Sequence, residues 1–375
     1  MTTPRIAVGM YVPAKPPLAD IEQLVAVAQQ EPFDSVFVWD HVMDFFGQAI
    51  WDEQFTWLAT RSASPHEWFD FQSVLGYLAA KAPGLRLGVG VAEPIRRHPI
   101  LLAQAILTLS HLSPRPPILG IGTGERLNTE PYGLELGAAV SKLEEALQII
   151  RLALTSRGPI TFEGRYFQLQ NAVLDLPPRA DNRPEIWVAA HGPRMLRLTG
   201  QYGDGWYPFA VASPDDYAAR LDIIRGAARA AGRDPDAITP AFHPITIVAP
   251  TEEEAHAMLG TRAVRFWGLL FPDEVWQLFG LQHPLGAHSR GYIDMLPQTY
   301  DRQVLDDAIA QVPAAMIESL LWGTPEQIVE RLRAFGEAGL RHVVPIIVSA
   351  AISEEAARFS VEAIADIARA LQSGE

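Results

Sequence analysis

Ile118-Leu-Gly-Ile-Gly-Thr-Gly-Glu-Arg-Leu-Asn128 is the stretch on which the reading of this chain turns. Its first four residues leave no room for a polar face, as in a strand buried on both sides of a parallel sheet. Gly120, Gly122 and Gly124 then break the run, and a hydroxyl, a carboxylate, a guanidinium and an amide follow as Thr123, Glu125, Arg126 and Asn128. Glycines without a Cβ let the backbone approach a ligand and present its N–H groups. Beside Thr123 those groups suit a phosphate, with Glu125 next to whatever the phosphate carries. The competing reading is a tight strand-to-helix turn that binds nothing, because glycine spacing alone is a weak signal.

Working outward, short apolar runs predict strands at 5–12, 35–39, 85–91, 118–121, 185–190, 204–209, 239–248 and 342–349. Helical periodicity predicts helices between them at 18–30, 69–81, 99–112, 138–154, 194–201, 217–231, 252–270, 324–338 and 353–371. Pro99 opens its helix where a missing N–H costs nothing. Thr324-Pro-Glu-Gln327 has the pattern of a capping box. Eight alternations of strand and helix are the count of an α/β (β/α)8 TIM barrel, read here as one domain over 1–375. Three insertions interrupt it: an aromatic loop at 43–67, a segment at 156–183 containing a hairpin around Glu163-Gly164, and an irregular region at 271–322. An open doubly wound sheet would put its ligand at one switch point. Here polar or glycine-rich clusters follow strand after strand, which suits a barrel whose strand ends share one face.

The totals narrow the function. With 48% hydrophobic and 20% charged residues in 375, the chain can build a large core. No apolar run is long enough to span a bilayer, and Met1-Thr-Thr-Pro lacks the pattern of a leader. Cysteine is absent, which excludes thiolate metal sites, disulfides and a cysteine nucleophile. A formal charge of −14 argues against general nucleic-acid binding. A cytoplasmic enzyme is the expectation.

His41 is the leading acid/base candidate, placed directly after a buried strand and beside Asp40. The alternative is a structural Asp–His pair. Glu125 reads as a carboxylate held near bound polar atoms, or as a first-turn helix acid favoured by the macrodipole. Asp40 suits a hydrogen bond to a ligand ring or to His41. His191-Gly192 offers backbone N–H groups to a phosphate, or is a simple turn. The other histidines show no metal-ligand spacing, and no metal is expected. No GxSxG elbow supports an esterase. Aromatic residues at 45, 51, 57, 206, 267 and 276 point to a largely apolar substrate cavity.

Four motifs in register, SVFVWDH (35–41), LGVGVAEPIRRHP (87–99), GIGTGERLN (120–128) and IWVAAHGP (186–193), resemble the bacterial luciferase-like superfamily. Within it they resemble the branch that uses coenzyme F420, and there the mycobacterial phthiodiolone ketoreductases, with F420-dependent sugar-phosphate dehydrogenases further away. The resemblance implies a usually dimeric TIM barrel with Asp40 and His41 against the deazaflavin, His41 being the proton donor or acceptor. It implies a bulge with a non-proline cis peptide at Gly90–Val91 behind the ring. Thr123, Gly124 and Asn128 would hold the ribityl-phosphate part, and Glu125 would stand near the reacting ring. Ala189, Ala190, His191 and Gly192 would form a backbone phosphate cradle. Where the sugar-phosphate enzymes have Trp four positions after the His, this chain has Phe45, and basic residues for a substrate phosphate are not evident in 271–322. The function so implied is hydride transfer between the deazaflavin and an apolar ketone or alcohol. The alternatives are an FMN-dependent monooxygenase, a sugar-phosphate dehydrogenase, a two-carboxylate hydrolase and a non-catalytic deazaflavin carrier.

Overall fold

In a computed structural model, which describes residues 5–373, buried apolar runs become strands in chain order. They are β1 (Ala7–Tyr11), β2 (Ser35–Val38), β3 (Arg86–Ala92), β4 (Ile118–Ile121), β5 (Ile160–Glu163), β6 (Gln168–Ala172) and β7 (Glu185–Val188). After these come β8 (Gly205–Trp206), β9 (Thr239–Phe242), β10 (Ile245–Val248), β11 (Leu321–Gly323), β12 (His342–Val343) and β13 (Ile346–Ile347). The residues on which the leader reading rests, 1–4, lie outside the described part. Eight strands close into a barrel in the order β1-β12-β9-β8-β7-β4-β3-β2, every pair parallel. Every residue of β2 and β4 is buried, as a strand covered by the barrel interior on one side and helices on the other must be. The (β/α)8 expectation holds, and β5 pairs antiparallel with β6 as the inserted hairpin.

Large side chains fill the barrel. Phe37, Trp187 and Tyr207 pack with Ile118, Ala241 and Val344, and the Phe37 and Tyr207 rings stack at 5.2 Å. Close strand approach elsewhere makes room for them: a Cβ on Gly120 would stand 2.1 Å from the Val89 carbonyl oxygen. Opposite that glycine the β3–β4 register shifts between Val89 and Ala92, and the Gly90–Val91 peptide is cis, at the position the resemblance implied. Outside, the helix Pro325–Glu337 starts on a formed capping box: Thr324 accepts from Gln327 N, and the Gln327 side chain accepts from Thr324 N. The helices Leu18–Gln30 and Pro99–Leu112 begin and end where expected.

Three expectations need correction. The strands predicted at 239–248 and 342–349 each break in two, because Pro244 and Pro345 have no N–H to give a ladder. Past the breaks, β10 and β13 leave the barrel and pair with β11 in a separate parallel sheet ordered β11-β10-β13. The helix predicted at 252–270 ends at Leu259; Phe266–Leu270, buried at every position, forms a 3₁₀ turn instead. The region 271–322 is not irregular throughout. It contains the helix Arg302–Gln311, N-capped by Asp301, which accepts from Val304 N at 2.9 Å. That helix buries Leu305, Ala308 and Ile309, an i, i+3, i+4 stripe, in a second core with Trp39, Phe45, Ile50 and Phe55. This second core lies at the carboxyl ends of the strands and tethers the aromatic insertion over them.

The insertion is pinned by polar contacts as well. Lys15 Nζ donates to Asp44 Oδ2 and to Pro65 O, both at 2.6 Å, and Trp57 Nε1 donates to Ala350 O at 2.8 Å. The chain therefore places a roof, built from 43–67 and 264–312, above one end of a parallel barrel.

Candidate active site

A cleft of about 820 Å³ opens at the carboxyl ends of the strands. His41 reaches it from the end of β2, Gly90 and Val91 from β3, and Thr123, Gly124, Glu125 and Asn128 from the turn after β4. Ala189 and His191 follow β7, Tyr207 and Phe209 follow β8, and His243 follows β9. Phe45 and Tyr292 come from the two roof insertions. Residues distant in sequence meet here because parallel strands deliver all their following loops to the same face.

His41 and Glu125 face each other, with Nε2 and Oε2 3.7 Å apart. His41 Nδ1 lies 2.9 Å from Met43 O. A carbonyl can only accept, so Nδ1 carries the proton and Nε2 presents its lone pair to the cleft. The imidazole is walled by aromatic rings, Trp39 stacked at 5.1 Å and Phe45 edge-on at 5.2 Å. Burial pushes its pKa down to about 4 and pushes that of Glu125 up to about 8. Their order favours a neutral carboxylic acid beside a neutral imidazole, one transferable proton between them, over a buried ion pair.

Asn128 sets this geometry. Its Oδ1 accepts from Val42 N at 2.8 Å and Met43 N at 3.1 Å, while its Nδ2 donates to Glu125 Oε2 at 3.2 Å. One buried amide thus ties the loop carrying His41 to the loop carrying Glu125. Gly124, at φ +82°, turns the backbone between them over Glu93. Thr123 sits in the same wall, whereas the N–H of Gly122 is committed to Ala92 O at 2.9 Å.

Asp40 is not the partner of His41. Its carboxylate meets Arg97 Nη1 at 2.5 Å and Arg96 Nη2 at 3.1 Å. Burial raises its pKa and the two guanidiniums counter that rise. Arg96 is held in turn by Glu93, Nε to Oε1 at 2.7 Å. Neither Glu93 nor Arg96 stood out in the sequence as site residues. The EPIRR segment carried the signal, a carboxylate three residues before an arginine right after a strand.

Two expected members of the phosphate cradle do not line the cleft. Ala190 is buried behind it and its carbonyl accepts from Trp206 Nε1 at 2.9 Å; Gly192 precedes the helix Pro193–Tyr202. His191 does line it, and burial lowers its pKa to about 4, so at neutral pH it brings no positive charge. Of the aromatics expected around a cavity only Phe45 contributes. Trp206, Trp267 and Trp276 are core, while Trp51 and Trp57 brace the insertion. Trp39, Tyr207, Phe209 and Tyr292 supply the aromatic walls instead. His243, passed over among the remaining histidines, is fixed at both nitrogens: Nδ1 on Val344 O at 2.5 Å and Nε2 accepting from Trp39 Nε1 at 3.1 Å.

Residues 1–342 match the luciferase-like monooxygenase family model. The chain belongs to that family. It is 38% identical over 365 residues to the phthiodiolone/phenolphthiodiolone dimycocerosates ketoreductase of Mycobacterium bovis, covering 95% of this chain and 94% of the relative. It is 30% identical over 356 residues to an F420-dependent glucose-6-phosphate dehydrogenase of Nakamurella multipartita, covering 92% and 91%. Among solved structures, an F420-dependent secondary alcohol dehydrogenase bound to an F420-acetone adduct shares the fold at TM-score 0.75 and 21% identity, over 98% of this chain and 99% of that one.

Proposed function

We propose that this protein is a coenzyme F420-dependent oxidoreductase that interconverts a hydrophobic ketone and its alcohol. The observation that carries the reading is the His41–Glu125 pair, 3.7 Å apart in a cleft walled by aromatic rings. The ketoreductase and dehydrogenase relatives support the same chemistry. Residues present fit a planar heteroaromatic group. Gly122 leaves the floor bare beside Val91 and Ala189, where a Cβ would come within 3.0 Å of Val91 Cγ2. Trp39 and Phe45 offer apolar faces, and a buried hydroxyl of Tyr207 has no hydrogen-bond partner among the described residues.

When bound, a deazaflavin supplies a hydride at a ring carbon where a flavin has nitrogen. The residues contribute the proton and its route. His41 Nε2, free to accept, takes the proton of an alcohol oxygen; in the reverse direction it returns one to the forming hydroxyl. In the reducing direction Glu125, kept neutral by burial, hands its proton to Nε2 as His41 gives one to the oxygen; in the oxidising direction the ionised carboxylate takes the proton back from Nε2. Trp39, Phe45, Phe209 and Tyr292 exclude water and receive apolar substrate surface. Thr123, Gly124 and Asn128 would hold the coenzyme's ribityl-phosphate part, Ala189 and His191 its phosphate, and Gly90–Val91 would back the ring.

A sugar phosphate does not suit the cleft. Arg96 is the one cation among its described lining residues, and Glu93 and Asp40 already neutralise it. As part of the same proposal, the chain acts as one domain, as a homodimer in the cytoplasm. Anaerobic assays with reduced coenzyme F420 test the reading against a panel of long-chain ketones, glucose 6-phosphate and a blank. Ketone-dependent oxidation of the coenzyme, absent with the sugar phosphate, is expected. Oxygen-dependent turnover with reduced FMN and none with the deazaflavin would overturn it in favour of a monooxygenase.

A further inference from the structure

Among the described residues, four buried side-chain polar atoms lack a hydrogen-bond partner: Trp68 Nε1, Arg86 Nη2, Asn182 Oδ1 and Tyr207 Oη. Arg86 Nη2 is nonetheless ion-paired to Glu185 at 2.8 Å. Only Tyr207 also lines the catalytic cleft. Its residue is 2% exposed, and a phenol so buried pays for lost hydration unless something in the cleft accepts its proton.

The ring cannot swing to find another partner. Phe37 stacks on it at 5.2 Å and 13°, and His243 stacks at 4.9 Å and 24°. Neither nitrogen of His243 is free to serve, one being spent on Val344 and the other on Trp39. The hydroxyl points under the Gly90–Val91 bulge, 3.1 Å from where a Cβ of Gly90 would lie. Glycine at position 90 is thus the one residue type that does not press a side chain onto this hydroxyl.

We infer that the Tyr207 hydroxyl donates a hydrogen bond to a ring carbonyl or ring nitrogen at the polar edge of the bound coenzyme, and so sets how the ring lies on the floor of the cleft. The inference rests on the coenzyme F420 reading above. It makes Tyr207 a binding residue supplied by the segment after β8 rather than by the glycine turn after β4. Tyr207 also acts on the free protein in the opposite sense, because there its hydroxyl is buried and unpaired.

Tyr207→Phe separates these effects. Oxidised coenzyme F420 is titrated into both proteins and its fluorescence followed, with melting temperatures measured on the free proteins. The expected result is coenzyme affinity weakened on the order of 5- to 10-fold in Tyr207→Phe, the scale of one neutral hydrogen bond. Its melting temperature without coenzyme should equal or exceed that of the wild type. Wild-type and variant affinities that agree would overturn the inference, the hydroxyl then being served by a bound water alone, and would leave the coenzyme reading standing. No binding to the wild type would sink that reading and the inference with it. A folding failure of Tyr207→Phe is covered by infrared spectra of the wild type. A ring carbonyl stretch lowered on binding is expected, and an unshifted band would overturn the inference.

Discussion

Replacing Glu125 with Gln isolates the most heavily displaced carboxyl in the cleft. Gln is isosteric with the protonated acid, and its side-chain oxygen can still accept from Asn128 Nδ2. In the wild type, burial moves the Glu125 pKa from 4.5 to about 8. At 1.36 kcal/mol per unit that displacement favours the neutral form by about 5 kcal/mol. Water reaching the open fifth of the side chain lowers the effect, to about 2–4 kcal/mol. The sign follows from the folded pKa lying above the unfolded one. Glu125 contributes its full stability below pH 4.5, loses it as pH rises toward 8, and contributes nothing beyond. His41 acts oppositely: with its pKa lowered from 6.5 to about 4, it stabilises above 6.5 and ceases to as pH falls through 4. Because both proteins contain His41, its share largely cancels in their difference. Melting temperatures of wild type and Glu125→Gln, measured by circular dichroism from pH 5 to pH 9, should therefore diverge. The variant should gain about 3–6 °C on the wild type across that range. A difference that stays constant from pH 5 to pH 9 would show an ordinary, ionised carboxylate and refute the reasoning.

His41→Ala should cut turnover on the order of 10²- to 10⁴-fold while coenzyme affinity stays near wild type; undiminished turnover removes the imidazole from the chemistry. Asn128→Ala leaves the N–H groups of Val42 and Met43 without their acceptor. A loss of about 2–4 kcal/mol by denaturant titration is expected, with kcat falling more than KM rises, and an unchanged kcat would argue against its positioning of His41. Gly120→Ala should yield no soluble protein, because its Cβ would stand 2.1 Å from a backbone oxygen. Gly76→Ala, in an open stretch of the helix Phe71–Lys81, should instead stabilise by about 0.5–1 kcal/mol; a folded Gly120→Ala variant would contradict the packing of β3 against β4.

Where local rules are strong, the fold was legible. Leu18–Gln30 and Pro99–Leu112 have unbroken helical stripes, and the second has Pro at its first position. Strand limits failed at Pro244 and Pro345, which end a ladder within what composition alone reads as one apolar run. The helix Arg302–Gln311 was present as the stripe Leu305, Ala308 and Ile309 but was hidden by surrounding Pro and Gly residues. Within the cleft, positions after strands could be named from the sequence, but their facing could not. Strand β8 is two residues long, too short for alternation to establish its phase, so Trp206 drew attention while its neighbour Tyr207 is the one that lines the cleft. Arg96 and His243 join the site through contacts across 56 and 204 residues of chain, which no local pattern records.

Fluorescence titration of the wild type with oxidised coenzyme F420, and separately with FMN, tests most directly that the cleft is built around a deazaflavin. Saturable quenching at one coenzyme F420 per chain, with FMN at the same concentrations leaving no bound fraction, is the result the structure leads us to expect. Tight FMN binding with no uptake of coenzyme F420 would contradict it.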